Sequence, residues 1–93
     1  MIERGFLRLR EGQMHYRTTG SVGGVHGSVL WMIHASPSSS VQLVPLMEAL
    51  GAGRRVIAPD TLGNGDSARP DRADPDAAYY ADATLRAMDA FAL

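Results

Sequence analysis

The stretch Arg54-Arg55-Val56-Ile57-Ala58-Pro59-Asp60-Thr61-Leu62-Gly63-Asn64-Gly65-Asp66-Ser67 sets the architecture of this chain. Its first five residues, 54–58, read as a short buried strand, and the rest as a long polar loop leaving that strand's carboxyl end. Upstream, Gly51 and Gly53 stop a helix over 41–50, whose Leu43, Leu46, Met47 and Leu50 make an apolar stripe. Pro45 cannot sit in a regular helix interior, so the helix is expected to begin near Val44, with 40–43 as an irregular first turn. The serines of His34-Ala35-Ser36-Pro37-Ser38-Ser39-Ser40 can cap it. Before that loop, Val29-Leu30-Trp31-Met32-Ile33 is a continuous apolar run, suited to a strand buried on both faces. Strand, helix, strand at this spacing means a right-handed parallel pair and an α/β fold.

Outward from this unit, Phe6–Arg10 and Met14–Thr18 alternate as half-buried strands, with Glu11-Gly12 as the two-residue hairpin turn between them. Residues 20–28 are glycine-rich and read as a loop. Downstream, Asp74 followed by Pro75 reads as a helix N-cap and first turn, with acidic Asp76 suited to the same start. Ala78, Ala81, Leu85, Met88 and Ala92 then recur at helical spacing. The sequence stops at Leu93 with no cap and no next strand, which reads as an interruption of a larger domain.

Composition sets the outer bounds. Ninety-three residues make at most one small domain, and an apolar fraction of 45% with 20% charged residues is that of an ordinary globular chain. Cysteine is absent, which excludes disulfides, thiolate metal sites and cysteine nucleophiles. All nine basic residues are arginine, so a lysine Schiff base and a phosphate-loop lysine are excluded too. A net charge of −1 gives no field to recruit nucleic acid or an anionic membrane. No apolar run approaches a membrane span and no secretory signal opens the chain, so the expected location is cytoplasmic.

Both polar loops follow the carboxyl ends of strands, where open α/β sheets place their ligand sites. Here the sequence resembles the α/β-hydrolase fold superfamily, in the branch of epoxide hydrolases, haloalkane dehalogenases, carbon–carbon bond hydrolases and small esterases. The resemblance rests on His34-Ala35-Ser36-Pro37, against His-Gly-x-Pro in the family, and on Pro59-Asp60-Thr61-Leu62-Gly63-Asn64-Gly65-Asp66-Ser67, against Pro-Asp-x-x-Gly-x-Gly-x-Ser. With the flanking elements it spans most of residues 5–92. Two positions depart from it: Ala35 stands at the usual glycine, and Leu62 where proline is frequent.

The resemblance implies a partial α/β-hydrolase domain over 1–93, cut before the nucleophile elbow. Its sheet order would be first, second, fourth, third strand, leaving Val29–Ile33 at an edge open to self-association. It also implies that the Ser36 backbone N–H is an oxyanion-hole donor, that His34 is structural, and that no cofactor or metal is needed. No serine here lies in Gly-x-Ser-x-Gly; the nearest approach, Gly65-Asp66-Ser67-Ala68-Arg69, is half a motif. The implied function is therefore a hydrolase fragment for an ester, epoxide or similar small molecule, inactive until completed. The alternative is a non-catalytic association module on the same frame.

Other constellations are weaker. Asp60 and Ser67 suit turn-fixing bonds to their own loop. A His34–Asp60–Ser67 triad has nothing in the spacing to bring it together. Gly63-x-Gly65-x-x-Ala68 matches a dinucleotide fingerprint, but Pro70 and a polar run follow where a helix is required. Trp31, Tyr79 and Tyr80 read as core or helix-face residues, and the three histidines lack metal-ligand spacing.

Overall fold

The computed structural model describes residues 2–19 and 29–93; the glycine-rich loop expected over 20–28 lies outside the described residues. The element order is β1 (Glu3–Leu9), β2 (Gly12–Thr19), β3 (Leu30–Trp31), a 3-10 turn (Ser40–Leu43), α1 (Val44–Leu50), β4 (Val56–Pro59) and α2 (Ala77–Ala90). The strands form one sheet in the order β1-β2-β4-β3, as the resemblance implied. β1–β2 and β2–β4 pair antiparallel, while β3 and β4 are parallel and joined through α1.

Each face of the sheet carries one helix. Met47 of α1 packs with Val56 and Ala58, and half-buried Leu30, Met32 and Leu43 close around them. Tyr79, Ala83 and Ala87 of α2 pack with Leu9, Met14 and Leu62. Full burial of a side chain the size of Met47 contributes roughly 1.5–3 kcal/mol. The end of α2 is fastened by Phe91, whose ring meets Tyr16 edge-on at 4.9 Å and Trp31 at 6.0 Å. The Arg55 guanidinium lies 5.3 Å from the same ring.

Several local expectations need correction. The hairpin loop is Arg10-Glu11, because Gly12 already pairs with Leu9 as the first residue of β2. Gly12 holds φ +138 there, so its glycine character serves the strand entry rather than the loop. The run Val29–Ile33 is not a strand buried on both faces. Only Leu30–Trp31 is strand, both half-buried, because β3 is the sheet edge; Met32 N–H extends the pairing to the Ile57 carbonyl at 2.9 Å. The fully buried strand is β4, starting at Val56 rather than Arg54.

The α1 stripe is narrower than its spacing suggested. A seven-residue helix meets the sheet through Met47, leaving Leu46 and Leu50 exposed. Regular helix does begin at Val44, with Pro45 accommodated in its first turn. In α2 the cap is Asp76, not Asp74: its Oδ1 accepts the Tyr79 N–H at 2.9 Å. The Tyr79 hydroxyl donates to Asp71 Oδ1 at 2.6 Å and accepts the Asp71 N–H, drawing 71–76 across the helix start and leaving Asp74 outside. The inward face of α2 is Tyr79, Ala83 and Ala87; Ala78, Ala81, Leu85 and Ala92 face solvent. Alanine lies on both sides of this helix, so apolar spacing alone does not choose between them.

Candidate functional site

Asp60 follows the last residue of β4 and is fully buried. Its Oδ1 accepts the Ser40 N–H at 2.7 Å, and its Oδ2 accepts the Asp66 N–H and the His15 Nδ1–H at 2.9 Å each. Burial pushes this carboxyl up, but the bonds from Ser40, Asp66 and His15 outweigh it and hold the pKa down at about 2. Ser67 closes the same loop, its hydroxyl donating to the Asp60 carbonyl at 2.6 Å and accepting the His15 N–H at 2.9 Å. Asp60 and Ser67 thus take the turn-fixing roles read from the sequence.

His15 is the member of this hub that the sequence did not disclose. Its Nε2 accepts from Arg4 Nε at 2.9 Å. A guanidinium only donates, so the histidine proton is on Nδ1 and points at Asp60. Arg4 also donates to Asp66 Oδ2 at 2.7 Å. His15, Asp60 and Asp66 have ligand-type atoms within 4.8 Å of one another. Both Asp60 oxygens and both His15 nitrogens are already engaged by protein partners, so the trio serves as a hydrogen-bonding hub. Gly65 is required at its edge: at φ +52 its missing Cβ leaves room for the Asp60 carboxylate and Ser39.

His34 belongs to a different arrangement. It is buried, and its Nε2 accepts the Thr61 N–H at 3.1 Å. Its Nδ1–H therefore donates to the Ala35 carbonyl, at 2.8 Å. With both ring nitrogens so occupied, His34 joins neither Asp60 nor Ser67, and no triad forms among the three. The ring instead ties the loop after β3 to the loop after β4.

The Ser36 residue beyond it is exposed, and its N–H has no hydrogen-bond partner among the described residues. The neighbouring Ala35 N–H is taken by Gln42 Oε1 at 3.1 Å. Ala35 is exposed and its φ is not positive, so the Cβ that replaces glycine there meets no backbone penalty. Leu62 is 1% exposed and part of the α2-side core, so its apolar side chain has a packing role. A separate cleft of about 300 Å³ lies between the hairpin turn and α2, and none of its lining residues belongs to the 34–38 loop. Its Glu11 carboxylate is held below its usual range by Arg86, which donates to both oxygens.

No family model and no curated protein sequence matches the chain, so the likeness is carried by structure. A haloalkane dehalogenase from Bradyrhizobium elkanii aligns over 99% of this chain with a TM-score of 0.85 and 28% identity. The fold is that of the amino-terminal part of an α/β-hydrolase. The epoxide hydrolase CorEH aligns over 98% of this chain, at 28% identity and a TM-score of 0.85. The N-acyl homoserine lactonase AidH, in complex with N-hexanoyl homoserine, covers 100% of it at 33% identity and a TM-score of 0.82. The chain spans 30%, 30% and 34% of the lengths of these three. All three are hydrolases. Among the described residues no helix is long and apolar enough to cross a membrane.

Proposed function

We propose that this chain is the amino-terminal portion of an α/β-hydrolase acting on an ester, epoxide or similar small molecule, and that it contributes the Ser36 N–H to the oxyanion hole. The observation that carries the reading is the unpartnered Ser36 N–H on an exposed loop just past the carboxyl end of β3. The solved relatives, a dehalogenase, an epoxide hydrolase and a lactonase, support a hydrolytic class. In such chemistry a preorganised backbone donor stabilises charge developing on the substrate oxygen. The chain lacks an elbow serine, so it is inactive alone and takes a small-molecule substrate only when completed.

The test compares the chain alone with the chain joined to whatever its coding sequence carries downstream of Leu93. The longer protein hydrolyses p-nitrophenyl esters, and Ser36→Pro, which removes the N–H, lowers kcat by roughly 10²–10³. Unchanged turnover in Ser36→Pro would overturn the donor role. The second reading, a non-catalytic association module, is favoured by the edge of β3, unpaired among the described residues, and by the exposed outer face of α2. A downstream sequence without a nucleophile motif would select it.

A further inference from the structure

We infer that Gln42 and His34 are positioning residues that together aim the Ser36 N–H outward, an inference that rests on reading that N–H as the oxyanion donor. Two consecutive peptide planes decide where it points. The first, between His34 and Ala35, is held by the bond from the Ala35 N–H to Gln42 Oε1 at 3.1 Å. The second, between Ala35 and Ser36, is held by the bond from His34 Nδ1–H to the Ala35 carbonyl at 2.8 Å. This second peptide is trans, since among the described residues the cis bond is the next one, Ser36–Pro37.

In a trans peptide the C=O and the N–H point in opposite directions. Turning the Ala35 carbonyl onto the buried His34 ring therefore turns the Ser36 N–H away from that ring. The ring cannot swing, because its Nε2 takes the Thr61 N–H, and the Thr61 hydroxyl lies 3.2 Å from the same nitrogen. Gln42 supplies the other constraint. It stands in the 3-10 turn that follows the loop, a turn held to the Asp60 hub through the Ser40 N–H. Without Gln42 the first plane can rotate, and the second follows through the Ala35 dihedrals. Preorganisation of this kind separates an aimed donor from a solvated one.

Amide hydrogen exchange of the chain, followed residue by residue by NMR, tests the inference without needing turnover. In the unaltered chain the Ala35 amide exchanges more slowly than the Ser36 amide, and side-chain nitrogen spectra show His34 protonated on Nδ1. Gln42→Ala speeds Ala35 exchange roughly fivefold, the factor a hydrogen bond of ordinary net strength supplies. It also shifts the Ser36 amide resonance, while those of Tyr16 and Ile57 in the sheet stay in place. Gln42→Glu, which keeps an acceptor oxygen, restores Ala35 protection.

Unchanged Ala35 exchange in Gln42→Ala, failure of Gln42→Glu to rescue, or a proton on His34 Nε2 would each overturn the clamp. Should Gln42→Ala not fold, the Ala35–Ser36 contrast and the His34 tautomer in the unaltered chain still decide. Failure of the oxyanion reading is seen separately, as Ser36→Pro with full turnover in the completed enzyme.

Discussion

His15 Nδ1 stands 2.9 Å from Asp60 Oδ2, and both side chains are fully buried. One lies within β2 and the other just beyond β4, so this bond adds a buried side-chain tie, between residues 45 apart in sequence, at the end of the antiparallel β2–β4 pairing. The same carboxylate holds the 3-10 turn through Ser40 and the loop through Asp66. Asp60 is where sheet, helix entry and site loop are tied together.

This knot makes stability depend on acid. Folding lowers the Asp60 pKa from 3.8 to about 2, so the folded state favours the ionised form. The stabilisation is fully present well above 3.8 and is lost as pH falls through about 2, amounting to about 2 kcal/mol for this group. Denaturant unfolding between neutral pH and pH 2 measures it. Asp60→Asn flattens that pH dependence and lowers stability at neutral pH; an unchanged slope would remove Asp60 from the account.

Gly65→Ala breaks the knot from outside. Its backbone φ is +52, and an added Cβ would overlap the Asp60 carboxylate. The expected cost is at least about 2 kcal/mol, from backbone strain together with a displaced buried carboxylate. Gly53→Ala is the control, because a Cβ there meets nothing within 4 Å; it changes stability by no more than about 0.5 kcal/mol. Equal thermal shifts in the two variants would contradict the role given to Gly65.

The elements most visible in the sequence were those with strong local causes. Pro45 announced an irregular helix entry, and the order of the four strands followed from the family resemblance that the two loop motifs carry. The partners of Asp60 within its own loop were legible because such side chains fix turns. His15 was not, since its partner lies just past the end of another strand and nothing local marks the pairing. Gln42 was hidden for the same reason: an exposed glutamine carries no signal until the loop it reaches is seen. The inward face of α2 was misread because small residues occupy both faces. The length of β3 was overestimated because an apolar edge run looks like a central strand until its neighbours are known.

Among the described residues β3 pairs only with β4, so its other side is an open edge there, carrying neither charge nor proline through Ile33, which is 58% exposed. The expected outcome is reversible self-association of the chain through Val29–Ile33. Sedimentation velocity across a micromolar concentration series detects it, and Ile33→Lys weakens it by placing charge beside the edge. A concentration-independent monomer with a sharp thermal transition would show that the edge is adequately protected.

Ester turnover by the purified 93-residue chain tests the central claim most directly. Ser67 Oγ is bonded to the Asp60 carbonyl and the His15 backbone N–H, and among the described residues no histidine ring nitrogen is bonded to it. The chain should therefore show p-nitrophenyl ester hydrolysis indistinguishable from buffer, before and after Ser67→Ala. Hydrolysis that survives purification and disappears in Ser67→Ala would mean that the chain holds its own nucleophile, contradicting its reading as an incomplete hydrolase.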